Sequence, residues 1–211
     1  MSWDWLATNH DVVLAHLVEH VQITLAAVAL GCVIAFPIGL AAHRWQRWYP
    51  PLLALTQVLY TVPSLALFVL LIGVVGLGQL PVVLGLAVYA LVILVRNLVE
   101  GLRAVPAAVT DAATAMGYRP LARVLVVELP LALPALVAGL RLAVVSTVSL
   151  VSVGALVGSG GLGQLFVHGF QVDNPVEVWA GIVLTAGLAL ALDAAVLGAG
   201  RAAAPWTRAV R

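Results

Sequence analysis

YPPLLALTQVLYTVPSLALFVLLIGVVGLGQLPVVLGLAVYALVILV, residues 49–95, runs for 47 positions without one charged side chain. A single membrane-spanning helix needs about 20 apolar residues, so this stretch is too long for one span and suits two. Gly73-Val-Val-Gly-Leu-Gly-Gln-Leu-Pro81 supplies the turn between them, because Gly and Pro cluster there as they do in loops. Spans are therefore expected at about 51–73 and 79–97.

Outward from this core the pattern repeats. Residues 21–42 carry no charge over 22 positions and make a first span. Arg44 and Arg47 follow it, among Trp45, Trp48 and Tyr49. Residues 96–128 hold four Arg and three acidic residues, and are read as an extramembrane segment. A fourth span is expected over about 130–157 and a fifth over about 178–200, with a Gly-rich and then polar stretch between them. The fold class is all-α and integral to the membrane, with about five transmembrane helices. Residues 1–211 form one domain.

Composition agrees. Of 211 residues, 63% are hydrophobic and 9% charged, with a mean hydropathy of +1.12. Soluble domains carry roughly 25% charged residues, so this chain cannot cover its own surface in water. Lipid is its expected surrounding, and no nucleic-acid partner is expected. Cys32 is the single cysteine, which excludes a disulfide framework and a cysteine-based metal site. Residues 1–19 lack a basic start followed by a short apolar core, so membrane targeting is expected to rest on the first span.

Arginine placement sets the orientation, since short basic loops stay in the cytoplasm. With the N-terminus outside, the inner segments are 43–49, 96–128 and 201–211, which hold nine of the ten Arg. The outer segments hold Asp4, Asp11, Glu19, Asp173 and Glu177 and no Arg. Trp3, Trp5 and Trp179 then fall at outer span ends, and Trp45, Trp48 and Trp206 at inner ends. That is the headgroup level, which the amphipathic indole favours.

The inner segment between spans three and four, about 101–128, is the most informative. Val109, Ala112, Ala113 and Met116 recur at helical spacing and predict a short amphipathic helix. Gly117 suits the position just past its end, where a left-handed backbone is needed. Pro120 is suited to opening a second helical turn, and Pro130 and Pro134 are expected to mark a break before the next span.

In this segment the chain resembles the permeases of ATP-binding cassette importers. Their signature reads E-A-A, three residues, G, nine residues, I, one residue, L-P. Asp111, Ala112, Ala113, Gly117, Val127, Leu129 and Pro130 occupy those positions, with Asp for Glu and Val for Ile. The resemblance implies a coupling helix in which Asp111, Ala112, Ala113 and Met116 dock on an ATPase subunit. Gly117 would let the chain turn, and Leu129-Pro130 would start the next span. Further stretches look like the permeases for glycine betaine, carnitine and choline. These are Thr61-Val-Pro-Ser-Leu-Ala-Leu67, Val95-Arg-Asn97, Leu129-Pro-Leu-Ala-Leu-Pro134, Ala138-Gly-Leu-Arg141, Gly158-Ser-Gly-Gly-Leu-Gly163 and His168-Gly-Phe-Gln171 with Asn174. Methionine importer permeases share the Gly-Gly-Leu-Gly run and match less well around Pro63 and Gln171.

The resemblance implies a transport subunit with no cofactor of its own, ATP and Mg being bound by the partner. It also implies two ATPase copies, a second permease, identical or related, and an extracytoplasmic substrate-binding protein. Neither catalytic nor metal-binding residues are expected here. Candidates for a translocation path are Tyr60, Pro63, Ser64, Tyr89, Asn97, Arg141 and the stripe Ser146, Ser149, Ser152. Small hydroxyl residues at every third position line a hydrated path or pack helices closely. Aromatic faces attract quaternary ammonium groups or simply pack. Arg141 lies deep in span four, where it would snorkel to the inner surface, meet Asp193 or line the gate.

Other classes fit less well. Gly158 to Gly163 lacks the Lys-Ser/Thr of a phosphate-binding loop. Ser159 with His168 lacks the Gly at 157 that a hydrolase elbow needs, since Val157 stands there. An ion-coupled secondary transporter would carry internal repeats and mid-membrane carboxylates, and neither is evident. A methionine-type or other small amino-acid importer permease is the alternative within the same class.

Overall fold

The structure is a computed structural model that describes residue 5 and residues 8–208. The expectations for Trp3 and Asp4 lie outside the described residues, as does Arg211. Among the described residues the fold is helical throughout, with no strand.

Helix α1 spans His10–Arg44 and is followed by a 3-10 turn, Gln46–Trp48. Next come α2 (Tyr49–Thr61), α3 (Ser64–Val75) and α4 (Gln79–Arg103). A short loop helix α5 (Ala107–Ala115) leads to α6 (Pro120–Arg123), a π turn (Val124–Glu128) and α7 (Leu129–Val151). After a 3-10 turn at Ser152–Val157, α8 (Gly163–Gln171) and α9 (Pro175–Ala203) complete the bundle.

Four helical stretches are long and apolar enough to cross a membrane: α1, α4, the continuous run Pro120–Val157, and α9. The pair Gln46–Thr61 and Ser64–Val75 makes a fifth if taken as one span, but it is bent by 91°. The sequence predicts an unbroken helix there. Pro63 explains the break, since its missing N–H and bulky ring disfavour helix for the residue before it. Val62 is accordingly extended at φ −64°, ψ 125°, and Pro63 follows at φ −59°, ψ 130°.

The converse happens at Pro130 and Pro134, where the expected break does not occur and helix continues from Pro120 to Val157. Pro130 is the second residue of α7, just past a π turn, and its missing N–H costs the run one helical bond without ending it. The preceding π turn, with the Leu129 N–H donating to the Val124 carbonyl, joins α6 to α7 without interruption. Helix α1 begins earlier than the hydropathy suggests and takes in Glu19 and His20 over 35 residues. At 1.5 Å per residue that is roughly 50 Å, longer than the hydrocarbon core, so its ends reach the headgroups.

Helices α1, α4 and α7 pack together as the centre of the bundle, and α9 lies against α7 and α8. The α1–α4 contact is close because α1 presents glycine to it. A Cβ on Gly39 would lie 2.5 Å from Leu98 Cδ2, and one on Gly31 would lie 3.0 Å from the Ala90 Cβ. Small residues permit this approach in membranes, where no hydrophobic force draws helices together. Ile23, Phe68, Val82, Leu86 and Val151 form one buried cluster, and Leu98, Leu102, Val124 and Ala132 another. The outward faces are apolar: Val33, Leu70, Val183 and Leu190 are all more than half exposed. Such a surface suits lipid.

Candidate functional site: a loop helix anchored by a buried carboxylate

Helix α5 ends as its sequence predicts. The Gly117 N–H donates to the Thr114 carbonyl at 3.0 Å and the Tyr118 N–H to the Ala113 carbonyl at 3.2 Å. With Gly117 at φ +86°, this is the paired-bond cap that a left-handed residue permits. The 100° turn per residue then sorts the candidate docking residues. Ala113 is buried at 1% exposure, facing the protein body. Asp111, Ala112, Ala115 and Met116 are exposed, and Tyr118 and Leu121 continue the exposed surface. Leu129 packs at the edge of the Leu98–Leu102–Val124 cluster, with half-buried Pro130 beside it in the first turn of α7.

Beneath the loop helix lies an ionic network that hydropathy and motif spacing do not reveal. Glu128, the last residue of the π turn, is 1% exposed. One of its carboxylate oxygens accepts from His43 Nε2 on α1 at 2.8 Å, and the other from Arg123 Nε at 2.8 Å. An ionised carboxylate only accepts, so His43 carries its proton on Nε2. The Arg123 guanidinium also donates through Nη1 to Thr114 Oγ1 on α5 at 2.9 Å. A buried carboxylate is tolerable only when both oxygens are satisfied, and here they are. Next to this network a cavity of about 430 Å³ opens between α5 and the end of α1, lined by His43, Arg44, Thr110 and Arg123 among others.

The path candidates do not form one constellation. Tyr60 on α2 and Tyr89 on α4 meet edge to face, with ring centroids 5.7 Å apart. The buried Tyr89 hydroxyl donates to the Val62 carbonyl at the helix break, beside Pro63 and Ser64. Tyr60 and Asn97 line a groove of about 400 Å³ with Gln57, Arg96 and Glu100. Arg96 and Glu100 pair at 3.0 Å across one helical turn. Arg141 lies apart from that groove and grips Asp193 of α9 with two bonds of 2.7 Å. Ser149 is exposed and Ser146 half-buried, while the hydroxyl of Ser152 is buried where the Gly163 Cα closes on the Ser152 backbone.

At the opposite end of α7 the Gly-rich run is a packing device. A Cβ on Gly160 would lie 2.1 Å from the Ala155 nitrogen, and one on Gly161 would lie 2.6 Å from the His20 Cβ. Buried His20 donates from Nε2 to the Val148 carbonyl at 2.9 Å and accepts at Nδ1 from the Leu162 N–H at 3.2 Å. His168 donates to the buried Glu177 at 2.8 Å, and Asn174 to the second Glu177 oxygen at 3.4 Å. The signals for these pairs are the histidines themselves, a polar residue inside or beside each apolar run.

Comparisons with known proteins converge. Residues 27–205 match the family described as binding-protein-dependent transport system inner membrane component. The choline transport system permease protein OpuBB of Bacillus subtilis (strain 168) is 30% identical over 189 residues, covering 90% of this chain and 87% of the relative. The glycine betaine/carnitine/choline transport system permease protein OpuCD of the same organism is 33% identical, covering 90% and 83%. The osmoprotectant import permease protein OsmW of Salmonella typhimurium is 33% identical, covering 83% and 84%. Among solved structures, an inward-facing MetNI methionine ABC transporter matches with a TM-score of 0.84 at 24% identity, covering 96% of this chain and 99% of that one. The fold, the loop helix and the family match together make this chain a member of the binding-protein-dependent transport system inner membrane components, the membrane-embedded permease subunits of ATP-binding cassette importers.

Proposed function

We propose that this permease carries quaternary-ammonium osmoprotectants of the glycine betaine, carnitine and choline class into the cell. The sequence relatives that transport these compounds support the reading. The Tyr60–Tyr89 pair supports it chemically, since aromatic faces attract a quaternary ammonium group, which has no N–H to donate. In this proposal the Arg-rich end faces the cytoplasm and the N-terminus lies outside, in accord with the positive-inside rule.

ATP and Mg belong to two separate ATPase subunits, and hydrolysis takes place there. Two ATPases need two loop helices, so the working unit holds a second permease, identical or related. An extracytoplasmic binding protein delivers the substrate. The observation that carries the reading is the loop helix α5, capped at Gly117 and exposing Asp111, Ala112 and Met116 on one surface. That surface docks on the ATPase, and its movement opens the groove beside Tyr60 and Asn97 alternately to each side. Arg141, held by Asp193, braces α7 against α9 away from this groove.

Reconstitution with the ATPase and binding protein in liposomes tests the proposal. Uptake of glycine betaine, carnitine or choline that depends on ATP and persists without an ion gradient is expected. ATP-driven uptake of methionine alone would assign the alternative substrate, and gradient-driven uptake would remove the ATPase from the account. Asp111→Lys combined with Ala112→Trp should leave ATP hydrolysis running while uptake stops, and normal uptake in that variant contradicts docking through α5.

A further inference from the structure

The loop helix has little apolar contact through which to push. It touches α6 and the π turn, while the 430 Å³ cavity separates it from the end of α1. A chain of polar contacts spans that gap. Thr114 Oγ1 on α5 accepts from Arg123 at 2.9 Å, Arg123 donates to Glu128 at 2.8 Å, and Glu128 accepts from His43 on α1 at 2.8 Å. Charge-assisted bonds of this length are stiff and directional, and a low dielectric strengthens them.

Glu128 occupies the hinge of this chain. It ends a π turn, a rare element that is frequent at functional sites. It is the member of the chain with almost no exposure, and its two oxygens serve two different helices. A residue that only solubilised the helix end would not be buried, and one that only packed would not be ionic.

We infer that Glu128 is a positioning residue that couples the loop helix to the first span, so that force received on α5 moves α1 as well as α7. The inference rests on the proposed docking of α5 to an ATPase. It adds to the docking loop a mechanical link to a helix 85 positions away in sequence.

The test uses the full complex with ATPase and binding protein in proteoliposomes, reading radiolabelled glycine betaine taken up per ATP hydrolysed. Wild type must first show ATP-dependent uptake, and the Ala112→Cys variant must cross-link to the ATPase. A missing cross-link removes the docking reading and with it the force that Glu128 would relay, whereas absent glycine betaine uptake bears on the substrate alone and the ratio is then read with carnitine, choline or methionine. Given both, Glu128→Gln should lower uptake per ATP by about tenfold while hydrolysis continues, the size expected for loss of one charge-assisted contact. Thr114→Val, at the exposed end of the chain, should lower it by about threefold, the smaller loss expected for a bond that water can replace. His43→Gln, which keeps a donor, should retain more coupling than His43→Ala. Should Glu128→Gln fail to assemble, Thr114→Val and the His43 pair decide the matter. With docking intact, an unchanged ratio in these variants overturns the inference, as does a parallel fall of hydrolysis and uptake at constant ratio.

Discussion

Two histidines on one helix, His20 and His43, mark opposite ends of the bundle, roughly 35 Å apart at 1.5 Å per residue. Their surroundings differ in kind. His20 is sealed under the Gly-rich run, where glycine lets the backbone of residues 160–163 press onto α1 and the 3-10 turn, and both ring nitrogens are bonded to backbone. His43 borders a cavity, bonds a side chain rather than backbone, and leaves its Nδ1 without a partner among the described residues. One end is closed by steric fit and the other held by charges across open space. Close-packed interiors resist deformation, whereas a few directional bonds beside a void permit a shift between discrete arrangements. The end proposed to receive force is the one whose packing leaves room for a shift.

Substitutions at the sealed end should have the largest effect on stability. Gly161→Val would place a side chain 2.6 Å from His20 in a residue at φ +49°. Overpacking and left-handed strain together predict a loss of about 3 kcal/mol or more. Thermal unfolding in detergent should show little folded protein. A melting curve like wild type would mean that the run does not close on α1. Next in size is His20→Ala, which strands the Leu162 N–H and the Val148 carbonyl in a dry site. The expected cost is about 2 kcal/mol, read as a lower midpoint in the same assay.

The residues behind these two effects are only partly legible in the sequence. The Gly158–Gly163 run is visible as a motif, yet nothing in its spacing names His20 as its partner. The spans are legible because hydropathy records solvent, and the Gly117 cap because only one backbone conformation ends such a helix cheaply. The break at Pro63 hides in the same profile, since hydropathy is blind to the dihedral restriction that proline imposes on Val62. Glu128 hides for another reason. Its burial depends on His43 and Arg123 arriving together, and a single sequence shows it only as a charge at the edge of a span.

At the charged end, stability and function should come apart. Gly117→Ala keeps the helix and has open space for its methyl, with nothing within 4 Å of the new Cβ. Its penalty is conformational, about 1 kcal/mol for a left-handed residue with a side chain. The midpoint should move little, while the turn beneath α5 shifts and uptake per ATP falls. Equal losses in midpoint and uptake would make Gly117 a folding residue only.

The smallest stability effect belongs to Met116→Ala. The side chain is 70% exposed at the end of α5 and supports no core. Surface substitutions of this kind stay within about 0.5 kcal/mol, so unfolding should be indistinguishable from wild type. If the exposed row of α5 is a docking surface, however, Met116 is a flexible apolar contact of the type that adapts to a partner groove. The ATPase should then co-purify less well with the variant, and raising ATPase concentration should restore uptake. Wild-type co-purification would shift docking to Asp111 and Ala112. Gly161 and Met116 thus stand at the two extremes: the first should matter to the isolated chain and not to its partner, the second to the partner and not to the chain.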